Sequence, residues 1–287
     1  MARTLEPYQL VERSIITKYR KVLWNPFIEA VKRYEMIQPG DRIAVCISGG
    51  KDSMLLAKLM QQLQKHSDFP FELVFLVMDP GYNELNRQKI ESNAALLNIP
   101  VTIFESDIFE VADSAGKSPC YLCARMRRGY LYSRAQELGC SKIALGHHFN
   151  DVVETTLISM FYGSQLQAML PKLHSTNFEG MTLIRPLYCV HEDDIIAWAR
   201  DNSLEFIQCA CRLTESSAAD TGDVNVSKRK EIKLLLRRLR QGNPNIEKSI
   251  FNSIHAVALD TMPGFKTGGV EHSFLERFNA MESTEDE

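Results

Sequence analysis

The chain has 287 residues, 45% apolar and 24% charged, ordinary proportions for a globular protein with room for one large α/β domain or a core domain with a smaller attachment. Its 33 Lys and Arg against 36 Asp and Glu leave a net charge of −3, which excludes bulk attraction for nucleic acid but allows local basic patches. No uncharged apolar run approaches the ~20 residues that span a bilayer, and Met1 to Arg20 lacks an apolar core, so neither a membrane segment nor a secretory signal is expected and the expected compartment is the cytoplasm.

Residues 8–36 are predicted to be helical with a break near Pro26, ending at Pro39-Gly40. Strands then alternate with helices. A strand at 42–47 leads into a helix at 53–65, and a strand at 71–78, closed by Asp79-Pro80-Gly81, leads into a helix at 83–97. A strand at 101–105 precedes a helix at 119–138 that carries Cys120 and Cys123 near its start. A short strand at 142–145 ends in Gly146-His147-His148, followed by a helix at 151–162, a last strand at 183–186 and a helix at 191–201. Beyond residue 205 come a cysteine-bearing loop, a basic helix over 227–241 and an irregular tail.

The expected divisions are an N-terminal helical segment (1–39), an α/β core (40–204), a small cysteine-bearing and basic helical segment (205–280) and a disordered acidic tail (281–287). Alternating strands and helices imply a parallel sheet covered on both faces, with ligands at the carboxyl ends of its strands. The turns at Ser48, Asp79 and Gly146 all fall at such ends and can converge.

Ser48-Gly49-Gly50-Lys51-Asp52-Ser53 joins an apolar strand to a helix whose apolar residues recur at 55, 56, 59, 60 and 63. Such a turn offers free backbone N–H groups and a helix dipole to a phosphate. Gly49 and Gly50 permit close approach and positive φ, Ser48 and Ser53 add hydroxyls, and Lys51 adds charge. The spacing is neither that of a Walker loop nor Gly-x-Gly-x-x-Gly. It resembles the PP-loop of the ATP pyrophosphatases, which implies an adenine nucleotide alpha hydrolase-like, Rossmann-like core that cleaves ATP between its α and β phosphates. Asp52 suits either a metal-facing carboxylate or a helix cap. Asp79 suits the adenosine half of a nucleotide or a plain Asx-turn, and Asp151 an ATP-site carboxylate or an N-cap.

Seven cysteines in a chain of the expected cytoplasmic type argue against a disulfide framework. Cys46, Cys140 and Cys189 adjoin apolar runs and read as buried hydrophobes. Cys120-Tyr121-Leu122-Cys123 at a helix start, with Arg125, Arg127 and Arg128 behind it, favours thiolates. It suits a redox dithiol, half of a zinc site or part of an iron–sulfur site. Cys209-Ala210-Cys211 is spaced too tightly for a usual second zinc pair, and three thiolates with one open position suit a cluster with a free iron.

From about Lys18 to Cys211 the chain resembles the tRNA 2-thiocytidine synthetases, the TtcA-like branch of the PP-loop superfamily. The matching pieces are 40–53, 119–128, 145–151, 159–163, 171–173 and 184–187. The resemblance implies an ATP- and Mg2+-dependent enzyme that adenylates the C2 oxygen of a cytidine in the tRNA anticodon loop and replaces it with sulfur. It implies a 4Fe-4S cluster on Cys120, Cys123 and a distant third cysteine, here Cys209 with Cys211 as the alternative. Nucleotide contacts would come from Ser48, Gly49, Gly50, Lys51, Asp52, Ser53, Asp79, Gly146 and Asp151, with Ser48, Lys51 and Asp52 beside the cysteines in catalysis. tRNA, a cysteine desulfurase or other sulfur donor, and a second copy in a homodimer are the implied partners. Rival functions are a PP-loop ligase or sulfurtransferase for another base or a small molecule, and a non-catalytic nucleotide- and metal-binding redox sensor. The cysteine set argues against a ligase, and the intact loop argues against a sensor. Lys18, Arg20, Lys21, Lys32 and Arg33, and the seven basic residues between Lys228 and Arg240, are candidate tRNA grips.

Overall fold

Arg42–Ile47 forms the central strand, β1, and every side chain after Arg42 is buried. A strand apolar on both faces has to lie inside a covered sheet. The computed structural model, which describes residues 5–106, 119–207 and 224–285, contains that sheet. β2 (Glu72–Asp79) pairs with one edge of β1 and β3 (Val101–Glu105) lies beyond it. β4 (Lys142–Ala144) pairs with the other edge of β1; β5 (Lys172–His174) and β6 (Thr182–Ile184) complete the order β3-β2-β1-β4-β6-β5. All pairings are parallel except that of β5 with β6. The parallel α/β core is as expected, whereas β5 was not: Lys172-Leu173-His174 has a single apolar residue and so no apolar run, unlike the equally short β4 and β6.

Strand order reverses direction between β1 and β4, the switch point at which such sheets open a crevice. Ala44 and Cys46 join Leu76, Ile143 and Leu183 against Tyr132 and Ala135 of α5 (Pro119–Glu137), while Ile43, Val45 and Ile47 point the other way. α3 (Lys51–His66) packs on β1 with Met54, Leu55, Leu56, Leu59 and Met60 buried. Cys46 and Cys140 are core residues, and burial pushes the Cys46 thiol up to about 12, so it is inert. Half-buried Cys189 is free, with its thiol raised by burial to about 12 as well.

The N-terminal helical segment comprises α1 (Pro7–Ile16), a π-helical turn (Arg20–Trp24) and α2 (Asn25–Arg33). The break comes before Arg20 rather than at Pro26, because Pro26 lies in the first turn of α2, where a missing N–H costs nothing. The remaining helices of the core are α4 (Glu84–Leu96), α6 (Phe149–Gly163) and α7 (Glu192–Asp201). α8 (Val224–Gly242) is the basic helix. Residues 1–235 form one compact unit and 236–287 a second, which holds the end of α8, α9 (Ile246–Ser253), the hairpin β7 (Gly264–Thr267) and β8 (Val270–Ser273), and α10 (Phe274–Glu285). This region was expected to be irregular. Gly268 and Gly269, at φ of +57° and +82°, build the two-residue turn that joins the strands. Helix α10 runs through the acidic residues to Glu285, where disorder was expected; Glu276 accepts the Ser273 N–H at 3.0 Å and fixes its start.

Lys58 of α3 is fully buried and ties α1 to the core. It donates to Glu12 at 2.7 Å, Gln61 at 2.8 Å and the Leu97 carbonyl at 2.7 Å. Burial would raise the Glu12 carboxyl, but Lys58 and Lys65 outweigh it and hold Glu12 below its usual range. Lys58→Met removes the cation and leaves the Leu97 carbonyl unpaired, so stability measured by urea unfolding is expected to fall by about 2–4 kcal/mol. A loss below about 0.5 kcal/mol would show that α1 is not held this way.

Candidate active site

The site lies where β1 runs into α3. Gly50 is the N-cap of α3, with extended backbone and no side chain to occupy the first-turn N–H groups. Ser53 closes the turn from inside: its hydroxyl donates to the Gly50 carbonyl at 2.9 Å and accepts from the Ser48 N–H at 3.2 Å and the Ser48 hydroxyl at 3.3 Å. Gly49 sits at φ +83°, and a Cβ there would lie 2.6 Å from side-chain atoms of both Ile90 and Ile207. Gly146, at the end of β4, approaches so closely that a Cβ would meet the backbone of Asp52 and Ser53 at 3.2–3.3 Å. The switch point is therefore closed by two glycines, one in each loop.

Ser48, Asp52, Ser53, Gly146 and His147 line a pocket of about 260 Å³ together with Met78 of β2 and Arg127 and Leu131 of α5. The cysteine-bearing helix thus forms a wall of the pocket that the glycine loop opens onto. Arg127 is steadied by the Tyr82 hydroxyl at 3.1 Å. The backbone of Cys120 and Cys123 falls within α5; their side chains, and Cys209 and Cys211 altogether, lie outside the described residues. Among the described residues no three metal-binding side chains cluster.

Two buried polar atoms in the site have no hydrogen-bond partner, Asp52 Oδ1 and His147 Nδ1. Burial and the nearby Arg185 charge push His147 down to about 4, so its imidazole is neutral at physiological pH. A glycine cradle, an uncapped helix N-terminus, an ammonium and orphaned polar atoms together fit a magnesium-bound nucleotide triphosphate.

Asp79 and Asp151 are both held by local hydrogen bonds. Asp79 gives one oxygen to the Gly81 and Tyr82 N–H groups, at 2.9 and 2.7 Å, and the other to Arg87 at 2.9 Å, so it builds the Asx-turn that ends β2. Asp151 is not the N-cap of α6. His148 is, its Nδ1 accepting the Asp151 N–H at 3.4 Å while Asp151 accepts the His148 N–H at 3.1 Å.

Three groups were missed in the sequence: Glu192, Glu154 and the cations of α8. Lys51 Nζ lies 3.2 Å from Asp52 and 3.1 Å from Glu192. Lys233 reaches Glu192 at 3.1 Å and Glu154 at 3.6 Å, and Arg229 reaches Asp151 at 3.5 Å and Glu154 at 3.6 Å. Burial raises the Glu154 carboxyl to about 7 against the pull of Lys233 and Arg229. Burial acts likewise on Glu192, but there Lys51, His148 and Lys233 prevail and hold it at about 2. Arg229 and Lys233, expected among the tRNA grips, are counter-ions of this acidic ring. The available signals were spacing alone: Glu154 stands one turn beyond Asp151, and Glu192 opens a helix.

Gly49→Ala forces an unfavourable φ and displaces Ile90 and Ile207, so binding of magnesium ATP, read by calorimetry, is expected to weaken at least about 10-fold, with a lower Tm. Gly129→Ala, at a position with nothing within 4 Å, is the matched control and leaves both unchanged or slightly improved. Equal affinity of the two variants would remove the cradle from nucleotide binding.

Residues 17–213 match the family of PP-loop domains. The tRNA-cytidine(32) 2-sulfurtransferase of Geobacter sulfurreducens is 37% identical over 240 residues, which cover 83% of this chain and 90% of that protein. The protein of the same name from Neisseria meningitidis serogroup C is 42% identical over 198 residues, 67% of this chain and 61% of its own. Among solved structures, the U34-tRNA thiolase NcsA from Methanococcus maripaludis, with its 4Fe-4S cluster, shares the fold at a TM-score of 0.63 and 19% identity, over 84% of this chain and 80% of its own. With its loop, its switch point and these relatives in agreement, the chain belongs to the PP-loop family, among the tRNA-cytidine(32) 2-sulfurtransferases.

Proposed function

We propose that the protein is an ATP-dependent tRNA thiolase that converts a cytidine of the anticodon loop, position 32 by likeness to its relatives, to 2-thiocytidine. The observation that carries this reading is the shared pocket: the glycine loop at the switch point and Arg127 and Leu131 of the cysteine-bearing helix line the same cavity. Positions 120 and 123 fall on the helix face of 127 and 131, at spacings of 7, 4, 11 and 8 residues.

The loop N–H groups, Ser48, Ser53 and Lys51 hold the β and γ phosphates, and the cytosine C2 oxygen attacks the α phosphorus. The new C2–O–P bond forms as pyrophosphate leaves, and Lys51 stabilises the charge gathering on that leaving group. A sulfide equivalent adds at C2 and AMP departs, so ATP, cytosine and hydrosulfide give 2-thiocytosine, AMP and pyrophosphate. Magnesium bound near Asp52 and Asp151 would offset the carboxylates facing the polyphosphate. A 4Fe-4S cluster on Cys120, Cys123 and either Cys209 or Cys211, with Cys209 preferred, would offer an iron without a protein ligand to the incoming sulfur. Ile207, against Gly49, precedes Cys209 by two residues, a reach of about 7 Å, which supports a third ligand close to the ATP loop. The sulfur donor, such as a cysteine desulfurase relay, and a homodimeric state belong to the same reading. An anticodon-loop base is accessible without breaking a duplex.

Nucleoside analysis of tRNA from a host lacking 2-thiocytidine, complemented with each variant, tests this. The wild type restores 2-thiocytidine. Cys120→Ala and Cys123→Ala abolish it together with the brown colour of anaerobically purified protein, and only one of Cys209→Ala and Cys211→Ala does the same. Stoichiometric zinc, or no 2-thiocytidine with the wild type, would sink the proposal.

Exposed Arg237 and Arg238 remain candidate phosphate contacts, whereas Arg240 pairs with Glu247. Arg237→Ala with Arg238→Ala is expected to weaken tRNA binding and to lower the slope of log affinity against log salt by about 1–2 while sparing ATP binding. An unchanged slope would remove α8 from the tRNA surface.

A further inference from the structure

Glu192 belongs to none of the motifs that led to the site, yet it fixes the ammonium of the loop lysine. Its Oε1 lies 3.1 Å from Lys51 Nζ and its Oε2 lies 3.1 Å from Lys233 Nζ. Its own backbone N–H donates to the side-chain oxygen of buried Asn150 at 2.9 Å. As the first residue of α7 it also sits where the helix dipole favours an anion. The residue is thus held by α6 through its backbone and by α8 through its carboxylate. Lys51, by contrast, is a flexible stem whose adjacent partner, Asp52 at 3.2 Å, would draw it sideways along α3.

We propose that Glu192 is a positioning residue for ATP cleavage: steadied by Lys233, it sets Lys51 Nζ at the mouth of the Ser48–Ser53 loop. A cation placed there in advance meets the departing pyrophosphate without a rearrangement at the moment of reaction. The proposal rests on the loop being the ATP-cleaving site. Asp52 does not substitute for Glu192, because it lies on the helix that carries Lys51 and cannot hold the ammonium away from that helix. Glu154 does not substitute either. Within this network it meets the α8 cations Lys233 and Arg229, at 3.6 Å each, and not Lys51.

A double-mutant cycle on the full-length, cluster-loaded protein tests this, with pyrophosphate release measured against ATP concentration in the presence of tRNA and sulfide. Glu192→Gln keeps shape and removes charge; it is expected to lower kcat about 10- to 100-fold while the KM for ATP changes less than about 5-fold. Lys51→Met causes a similar loss, and adding Glu192→Gln to it costs less than about 3-fold more. Glu192→Asp recovers part of the activity. Lys233→Met gives an intermediate loss that disappears in the Glu192→Gln background. Thermal melts of every variant separate these effects from unfolding.

A Glu192→Gln enzyme within about 2-fold of wild type, or one whose loss is repeated in full in the Lys51→Met background, would overturn the proposal. If Glu192→Gln fails to fold, the Lys233→Met and Lys51→Met pair decides by the same criterion. Magnesium ATP binding by calorimetry without tRNA completes the cycle. A wild type that binds ATP but releases no pyrophosphate with tRNA would refute the acceptor, whereas a wild type that releases it with no coupling between Lys51 and Glu192 would refute the positioning role alone.

Discussion

The constraint on which the site depends is the absence of room beside Gly49. A strand that runs straight into a helix presents first-turn N–H groups to solvent only if the intervening turn folds back without side chains in the way. Here the turn reaches φ +83° at Gly49, and the space that a Cβ would need is filled by Ile90 of α4 and Ile207 from the segment after α7. Gly146 does the same from the other side, pressing the β4 loop onto the backbone of Asp52 and Ser53. The phosphate cradle is therefore a product of core packing: moving α4, the β4 loop or residue 207 would open or close it.

A cradle of this kind would attract anions with backbone dipoles and Lys51 alone, yet four carboxylates, Asp52, Asp151, Glu154 and Glu192, stand around it. Their charge is met by cations from two elements. Lys51 comes from the loop and Arg229 and Lys233 from α8, while the His148 ring Nε2 lies 3.5 Å from Asp151 and 3.9 Å from Asp52. The α8 pairs to Glu154, at 3.6 Å, are looser than the 3.1 Å contacts to Glu192, and burial accordingly wins at Glu154 and loses at Glu192. The ring is thus one fixed acid beside one poised acid. A triphosphate bound as proposed would enter a site whose acids already have counter-ions.

The fold was legible because its signals are strong and local. Five of the six core strands and the helices between them follow from apolar runs and their periods, and the loop from residues 48–53. β5 was not legible, since Lys172-Leu173-His174 has no apolar run, nor was the β7–β8 hairpin, although paired glycines such as Gly268-Gly269 are a hairpin signal. At the site, sequence identified the groups presented by turns and missed those supplied by helices. Glu192 lies 141 residues from Lys51 and 41 from Lys233 along the chain; in space they meet because α6, α7 and α8 converge on the switch point. Seven basic residues in one helix read as a nucleic-acid patch by composition. Three of them, Arg229, Lys233 and Arg240, are instead paired with acids.

This convergence gives the proposed chemistry a physical economy. The segment proposed to bring the third cysteine leaves the described chain at Ile207, which fills the cradle at Gly49, and the chain returns in α8, whose Arg229 and Lys233 reach the acids around Lys51. Ile207 packs against the ATP loop, and α8 pairs by charge with acids of α6 and α7. The first two cysteines stand on a helix whose next turns wall the same pocket. An activated base with AMP as its leaving group would be hydrolysed if sulfur had to arrive from a distance. In the proposed reading, sulfur-bearing elements packed beside the activating loop would keep the two half-reactions in one cavity, so the packing that shapes the ATP site would also set where sulfur is delivered.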